Sequence, residues 1–296
     1  MQTSKPAKKF VVDFGFSSTK VLSDDVCFKF PSRYKAVGRE TFVGNSAIDH
    51  GTPSDVLTVD KLVDLYKLFV LEAISSAGLS SDESLSLGVG LPAEFLISES
   101  FPGGKVEMLT DSLKSIPQIS SVAVLAQGLG GITSFISQKP AGNPSLVLGV
   151  DIGFNTAILT VWDNANSKIV ETTTLYRQGV CDLVKNHLYR LISSYTTGRA
   201  ITPADYSYIL ETKTIPYGLE RHDVSAQIAE ASESYAADLL DRVYDWVSTL
   251  NLFRPVDEIV LFGGGANLLG SCEKINGTVL DSPEFANARG FMESLS

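Results

Sequence analysis

The spacing of apolar and polar residues predicts short buried strands that alternate with amphipathic helices along the whole chain. Apolar runs of about four to eight residues that stop at glycine, proline or aspartate are typical of buried strands, whereas apolar residues three and four positions apart indicate a helix. The first half of the chain predicts strands over residues 9–14, 19–22, 85–91, 106–109 and 119–125 and helices over residues 59–77 and 128–136.

After a proline-containing break at residues 140–144, the same pattern starts again. The second half predicts strands over residues 146–151, 157–162, 169–175 and 258–262 and helices over residues 180–194, 203–210, 222–250, 266–274 and 283–293. Each half therefore opens with a strand, an acidic residue, a glycine and a return strand. Strands that alternate with helices in this way predict an α/β fold.

The two openings form an internal repeat at the level of single residues. Residues 12–18 read Val-Asp-Phe-Gly-Phe-Ser-Ser, and residues 150–156 read Val-Asp-Ile-Gly-Phe-Asn-Thr. The two aspartates, Asp13 and Asp151, are separated by about the length of one domain. The repeat therefore predicts two similar lobes rather than a chance match of two turns.

Each repeated loop offers the groups that bind a phosphate. Backbone N–H groups around a glycine turn can surround a phosphate, and Ser17 and Ser18 add hydroxyl groups in the first loop. A divalent cation held through water by Asp13 and Asp151 would lie between the carboxylates and the phosphate, and Lys20 adds a positive charge. A single loop of this kind also occurs in ordinary hairpins that bind no phosphate. The presence of two matching loops is what favours phosphate binding.

A third candidate element is a glycine-rich turn after the strand predicted over residues 258–262. Gly263, Gly264 and Gly265 stand at the start of the helix predicted over residues 266–274. Without side chains, these residues let a planar ring or a phosphate approach the backbone closely. The spacing differs from the dinucleotide fingerprint GxGxxG, and a tight strand-to-helix turn is the alternative interpretation.

Composition and charge argue against several classes of protein. The chain has 296 residues, 44% of them apolar and 20% charged, and no apolar run approaches the roughly 20 residues that span a bilayer. A net charge of −10 disfavours direct binding of nucleic acid. Cys27, Cys181 and Cys272 are scattered and lack CxxC spacing, so they support neither a disulfide framework nor a zinc site. Residues 2–9 lack the apolar core of a secretory signal, and we expect a cytoplasmic globular protein.

Three motifs, in this order, resemble those of the actin, Hsp70 and sugar-kinase superfamily of ATPases. Residues 13–20 and 151–156 are similar to its phosphate 1 and phosphate 2 motifs, and residues 262–267 are similar to its adenosine motif. Residues 122–128 look like its connecting segment, with Gln127 where actins carry the glutamine near the attacking water.

Within this superfamily, the chain is most similar to the ParM-like actins of bacteria and archaea. The similar features are residues 87–92, the pair Gly179 and Val180 that opens a helix, and the closing segment over residues 285–291. The resemblance implies an actin-like fold, in which two duplicated ribonuclease-H-like lobes hold ATP in the cleft between them.

The resemblance also implies the limits of the lobes. The first lobe would span residues 1–144, with a small insert subdomain over roughly residues 28–84. The second would span residues 145–296, with a small insert subdomain over roughly residues 195–254.

The motifs carry implied roles for individual residues. Asp13 and Asp151 would hold Mg²⁺ through water, and Gln127 would position the attacking water while Asp151 polarises it. The implied nucleotide contacts are Gly15, Phe16, Ser17, Ser18 and Lys20 in the first loop, Gly153, Asn155, Thr156 and Gly179 at the second loop, and Gly263, Gly264, Gly265 and Asn267 at the adenosine.

The implied function is that of a Mg²⁺-dependent ATPase, with ATP or GTP as the nucleotide, that assembles with itself into polar filaments. It would segregate plasmid or other DNA through a DNA-binding adaptor protein, without touching nucleic acid or membrane directly. A small-metabolite kinase of the same superfamily is one alternative, although such kinases usually have an acceptor-binding insert that we do not find clearly here. A non-hydrolysing actin-like adaptor is another, because Ala157 and Ile158 stand where related segregation actins often carry Thr-Asp.

Overall fold

Two five-stranded sheets, one in each half of the chain, form the framework of the protein in the computed structural model. The structure describes residues 6–97, 104–139, 144–196, 201, 203–269 and 277–295. Most of the predicted break over residues 140–144 lies outside these ranges, as do Cys272 and the end of the helix predicted over residues 266–274.

The first half contains the following elements within the described residues. They are β1 (Lys8–Phe14), β2 (Ser18–Ser23), β3 (Cys27–Pro31), β4 (Arg33–Val37), β5 (Glu40–Val43), α1 (Gly44–Asp49), β6 (Ser54–Asp55), α2 (Val59–Ser76), β7 (Leu85–Pro92), α3 (Glu94–Ile97), α4 (Gly104–Lys114), β8 (Ile119–Gln127) and α5 (Leu129–Ser137).

The second half continues the series. Its elements are β9 (Leu146–Ile152), β10 (Thr156–Asp163), β11 (Lys168–Tyr176), α6 (Val180–Asp182), a π-helical segment (Leu183–Leu188), α7 (Tyr189–Ile192), a 3-10 turn (Ser193–Tyr195), α8 (Pro203–Thr212), β12 (Thr214–Tyr217), β13 (Glu220–Asp223), α9 (Ser225–Ser248), β14 (Glu258–Phe262), α10 (Ala266–Leu269), β15 (Thr278–Val279), a 3-10 turn (Pro283–Phe285) and α11 (Ala286–Ser294). Among the described helices, none has the length and apolar character that crossing a membrane requires.

The two large sheets have the same topology. The strand order is β3-β2-β1-β7-β8 in the first sheet and β11-β10-β9-β14-β15 in the second. In each sheet, three antiparallel strands are extended by two parallel strands. The repeat that two short loops indicated therefore extends over whole sheets, and the predicted α/β class is confirmed.

Smaller sheets lie outside this repeated framework. Strands β4, β5 and β6 form a three-stranded sheet next to α1, and β12 and β13 form a separate hairpin before α9. Both fall inside the ranges predicted for the insert subdomains, whereas α2 packs against the first large sheet. The limits of the lobes themselves stay a prediction.

Helix α2 shows how a local signal and packing agree. Its first turn is capped by Thr58, whose side chain accepts a backbone hydrogen bond across 3.3 Å. Its inward face buries Tyr66 and Phe69 against Phe14 of β1, and the rings of Phe14 and Phe69 stack with centroids 4.0 Å apart. This packing holds the end of β1, where Asp13 lies.

Helix α11 crosses from the second half of the chain to the first. It packs against α5 and against strands β1, β2 and β7. Gly290 of α11 and Gly130 of α5 meet backbone to backbone, since a Cβ on Gly290 would lie 1.9 Å from the Gly130 carbonyl oxygen. Phe291 and Leu295 are buried together with Val11 of β1. The last helix therefore joins the two halves.

The prediction of a strand over residues 106–109 is wrong. These residues lie in α4, whose buried side chains are Leu109 and Leu113, four positions apart on one helical face. A short apolar run fits a strand or one turn of a helix equally well, and here packing against the first sheet selected the helix.

Three predicted helices are also shortened or interrupted. The helix predicted over residues 222–250 begins at Ser225, because His222 and Asp223 belong to the β12–β13 hairpin. The helix predicted over residues 180–194 contains a π-helical segment, and the helix predicted over residues 283–293 starts as a 3-10 turn.

Candidate functional site

The two repeated loops form hairpin turns with the same closing hydrogen bond. In the first turn, the backbone N–H of Gly15 donates to the carbonyl oxygen of Ser18 across 3.3 Å. In the second turn, the N–H of Gly153 donates to the carbonyl oxygen of Thr156 across 2.8 Å. Each turn begins where a buried strand ends, so each brings a strand-end aspartate to the same position beside the turn.

Both turns line a single cleft of about 630 Å³. This volume is within the range of small-molecule and cofactor sites. The predicted site residues that line it are Asp13, Gly15, Phe16, Ser17, Ser18, Lys20, Gln127, Asp151, Gly153, Thr156, Gly263, Gly264, Gly265 and Asn267. The fold thus brings together three motifs that are far apart in sequence.

Two predicted site residues, Asn155 and Gly179, lie behind the second turn instead of lining the cleft. The side-chain oxygen of Asn155 accepts a weak hydrogen bond from the thiol of Cys181, across 3.8 Å. A Cβ on Gly179 would lie 2.4 Å from the carbonyl oxygen of Gly153. The backbone N–H of Val180 donates to that same oxygen across 3.0 Å. This segment braces the turn from behind, and its predicted contact with nucleotide stays a prediction.

The carboxylate of the first turn belongs to Asp13, near the end of β1. It is buried, and its Oδ1 accepts a hydrogen bond from Nε2 of Gln127, at the end of β8, across 2.7 Å. Lys20 stands directly opposite Asp13 in the β1–β2 pair. The buried Asp13 carboxyl group thus has both a hydrogen-bond donor and a basic residue beside it.

The carboxylate of the second turn, Asp151, has a different partner. Its Oδ2 accepts a hydrogen bond from Nδ2 of Asn287 across 2.6 Å. Burial raises the pKa of Asp151 to about 6; the charge of Asp13 acts in the same direction, whereas the hydrogen bond from Asn287 and the charge of Lys20 lower it. The two carboxylates therefore lie close enough to influence each other electrostatically.

Asn287 was not among the predicted site residues. It lies in the closing segment over residues 285–291, which carried the resemblance to ParM-like actins but no predicted role. The available signal was a polar residue among apolar and small ones near the start of a helix. Only the packing of α11 between the lobes shows that this side chain reaches the cleft.

The glycine turn after β14 packs closely against the second carboxylate. Gly263 has φ +84°, and a Cβ there would lie 2.4 Å from Oδ1 of Asp151. The N–H of Gly265 donates to the carbonyl oxygen of Ile152 across 2.8 Å. Gly264 is exposed, and a Cβ there would meet nothing within 4 Å. The turn therefore presents an open backbone surface that a flat ring can approach.

An ion pair spans the rim of the cleft. Nζ of Lys29, on β3, lies 3.7 Å from Oε1 of Glu284, and Nδ2 of Asn267 donates to Oε2 of Glu284 across 3.3 Å. Lys29 stands opposite Lys20 in the β2–β3 pair. Sequence reasoning missed both Lys29 and Glu284, because the register of three strands and a distant turn bring them to the cleft.

The donor set fits Mg²⁺ bound through water. Mg²⁺ usually keeps several waters and takes one or two protein carboxylates, and Asp13 and Asp151 are such a pair at one cleft. Within the described ranges, no cluster of three or more His, Cys, Asp and Glu side chains could hold a metal directly. Gly264, where an added Cβ would meet nothing within 4 Å, leaves open space beside the backbone that fits a phosphate or a ring.

Comparisons with known proteins agree with this geometry. Residues 149–273 match the family model described as the C-terminal part of MreB-like archaeal actin homologues. A search of curated proteins finds no match. Among solved structures, a ParM protein from a 15-stranded filament of Clostridium botulinum aligns with a TM-score of 0.72 and 19% identity, over 97% of this chain and 98% of that one.

Two further structures contain nucleotides. The archaeal actin homologue Ta0583 in complex with ADP aligns with a TM-score of 0.73 and 20% identity, over 96% of this chain and 98% of that one. A non-polymerising mutant of MamK bound to AMPPNP aligns with a TM-score of 0.61 and 17% identity, over 99% of both chains. The chain therefore has the fold of the bacterial and archaeal actin-like proteins, and the actin-like fold predicted from its motifs is confirmed.

Proposed function

We propose that the protein binds a Mg²⁺-nucleotide complex, with ATP or GTP as the nucleotide, in the cleft between its two hairpin turns. The observation that carries this proposal is that two matching turns, one from each half of the chain, line one cleft together with two buried carboxylates. Backbone N–H groups, hydroxyl groups and Lys20 supply contacts that a triphosphate needs. The ADP and AMPPNP bound to similar folds support it.

The same residues support hydrolysis. Gln127 would orient a water towards the terminal phosphate, and the carboxylate of Asp151 would accept a hydrogen bond from that water. When bound, Mg²⁺ neutralises part of the negative charge on the phosphates. Because phosphoryl transfer depends mainly on positioning and charge stabilisation, a sparse set of side chains suffices.

We further infer that nucleotide-bound copies assemble head to tail into polar filaments that segregate plasmid or other DNA through an adaptor protein. Head-to-tail contacts that do not close into a ring produce open helical polymers. Nucleotide that bridges two lobes would favour one arrangement of the lobes, and with it the contact between copies. The ParM filament among the structural neighbours supports this inference.

Nucleotide binding is tested by thermal unfolding with and without millimolar Mg²⁺-ATP. At a free ligand concentration near 100 times Kd, binding adds about 2.7 kcal/mol to the free energy of unfolding, which raises the Tm visibly. Lys20→Ala should reduce the rise. An unchanged Tm in the wild type would contradict nucleotide binding.

Assembly is tested by negative-stain electron microscopy with ATP, with ADP and without nucleotide. We expect filaments with ATP or a slowly hydrolysed analogue, and their loss as ATP is consumed. Moderate salt should help assembly, since each copy carries a net charge of −10. Monomers under all conditions, with phosphate transferred to an added small acceptor, would favour the metabolite kinase.

One observation favours a second candidate, a non-hydrolysing adaptor. Ile158 is buried, lines the cleft and stands opposite Asp151 in the β9–β10 pair, so this side of the site lacks a polar neighbour there. Tight nucleotide binding without phosphate release would select this candidate.

A further inference from the structure

Asn287, the second residue of α11, connects both halves of the chain at the cleft. Its buried amide nitrogen donates to Oδ2 of Asp151 across 2.6 Å. Its amide oxygen accepts hydrogen bonds from the backbone N–H groups of Gly128 and Gly131, across 3.2 and 3.1 Å. In this orientation of the amide, its nitrogen donates to the carboxylate and its oxygen accepts from both backbone N–H groups, so each of these groups has a hydrogen-bond partner.

The same junction also holds the first carboxylate. Gln127 directly precedes Gly128 and donates to Asp13 across 2.7 Å. A chain of contacts therefore runs from Asp13 through Gln127, the backbone at Gly128 and the side chain of Asn287 to Asp151. It joins the two carboxylates across the two halves of the repeated fold.

Close packing keeps this chain of contacts in place. A Cβ on Gly130 would lie 2.8 Å from the carbonyl oxygen of Asn287 and 2.7 Å from the ring of Phe291, so α5 and α11 meet without space between them. Gly128 has φ +88°, and a Cβ there would lie 2.8 Å from Oγ1 of Thr160, on β10. Asn287 is therefore held in a fixed position relative to α5 and to the β8–α5 junction.

We propose that Asn287 is a positioning residue that holds the Asp151 carboxylate in a fixed relation to the β8–α5 junction, and thereby to Gln127. The inference rests on the proposed hydrolysis and deepens it. It assigns a role to the C-terminal segment, which contains no phosphate or adenosine motif. Asn287 acts through Asp151 and Gln127, and the proposed nucleotide contacts are other residues of the cleft.

The first test is steady-state hydrolysis and nucleotide binding by Asn287→Ala. Removing a group that orients a site carboxylate lowers activity by about 10- to 100-fold. Because Asn287 does not hold the nucleotide, we expect kcat to fall while the Kd for Mg²⁺-ATP changes by less than about threefold. A loss of affinity as large as the loss of kcat would overturn the proposal.

A matched control is available in the same lobe. Asn166 also donates from its side-chain amide to a buried aspartate, Asp163, across 2.7 Å, and neither residue lines the cleft. Asn166→Ala should leave kcat and Kd unchanged. An equal fall in kcat in both variants would mean that general loss of stability, not positioning, explains the Asn287 result.

A double-mutant cycle separates action through Asp151 from an independent effect. In an Asp151→Asn background, we expect Asn287→Ala to reduce kcat further by less than about threefold. Full additivity of the two effects would overturn the proposal. If Asn287→Ala does not fold, Asn287→Ser keeps a polar group at the buried position but is too short to span both partners, and it takes the place of the alanine variant.

Hydrogen exchange tests the positioning itself without nucleotide. Asn287→Ala should speed exchange of the Gly128 and Gly131 amides, whereas the Gly153 amide, which bonds within its own turn, should not change. Unchanged exchange at the first two amides would overturn the inference. A wild type that neither binds nor hydrolyses nucleotide would instead contradict the proposed function, so the two failures are distinguishable.

Discussion

The two hairpin turns have the same backbone geometry, but the side chains around them differ. Lys20 stands opposite Asp13 in the first turn, whereas Ile158 stands opposite Asp151 at the same register position in the second. Each carboxylate also receives its hydrogen bond from a different amide side chain, Gln127 or Asn287. The two turns therefore have the same geometry, whereas the charged side chains beside them differ.

The supports behind the turns also diverged. The first turn is held by the N–H of Ser32, which donates to the carbonyl oxygen of Ser17 across 2.9 Å, and by a buried hydroxyl pair between Thr19 and Ser32. The second turn is held by the backbone of Gly179 and the first residues of α6. Because Lys20 lies beside the first turn, we expect that turn to hold phosphates. We expect the second turn, with its desolvated carboxylate, to act on water.

The largest expected effect comes from the support behind the second turn. In Gly179→Ala, the new Cβ would lie 2.4 Å from the Gly153 oxygen and 2.8 Å from two further backbone oxygens, none of which can move without shifting the turn. We expect a loss of about 3 kcal/mol or more in the free energy of unfolding, measured by denaturant titration.

Gly264→Ala is the matched control for stability. A Cβ at Gly264 would meet nothing within 4 Å, so the free energy of unfolding should change by less than about 0.5 kcal/mol. Equal stability of the Gly179 and Gly264 variants would show that the second turn is not braced as described.

The second prediction concerns the separate roles of the two turns in nucleotide binding and in hydrolysis. Asp151→Ala or Gln127→Ala should slow hydrolysis by about a hundredfold, about 3 kcal/mol of transition-state stabilisation, with a smaller loss of nucleotide affinity. Lys20→Ala should weaken both binding and hydrolysis. Phosphate-release rates and Kd values measured together check this pattern, and unaltered turnover in Gln127→Ala would move the water-positioning role to another residue.

The third prediction uses the desolvated carboxylate. Because burial raises the pKa of Asp151 to about 6 from its ordinary value of 3.8, the folded protein keeps a proton that the unfolded chain loses between these values. The contribution of Asp151 to the free energy of unfolding should therefore fall as pH rises from about 4 to about 6, by up to about 3 kcal/mol.

Comparison with Asp151→Asn isolates this contribution. Without Mg²⁺, thermal unfolding between about pH 4 and pH 7 should show the wild type losing stability relative to the variant as pH rises. A stability difference that stays constant over this range would contradict a raised pKa in the second turn.

The smallest expected effect is at the rim of the cleft. Lys29 and Glu284 are 3.7 Å apart, and the Lys29 side chain is 51% exposed, so water and salt screen their attraction. Lys29→Ala or Glu284→Ala should lower the free energy of unfolding by less than about 1 kcal/mol, and salt should shrink the difference. A larger, salt-independent loss would show that the rim pair holds the lobes together.

The sequence by itself determined the repeated turns and most strands of the two large sheets. The periodicity of apolar residues and the residue preferences of turns are local properties. Neighbouring residues alone therefore predict the hairpins at Gly15 and Gly153 and the glycine turn at Gly263. The same local signal failed over residues 106–109, where a short apolar run fits both a strand and a helix. It also could not separate the β12–β13 hairpin from the helix that follows.

Tertiary structure alone decided the partners of the two carboxylates. Nothing near Asp151 in sequence indicates Asn287, which reaches it because α11 returns from the second lobe and packs on α5 through Gly130 and Gly290. Lys29 meets Glu284 only through the register of three strands. Hydrogen bonds and charge pairs depend on distances between atoms, and for residues far apart in sequence only the packing of whole elements sets those distances.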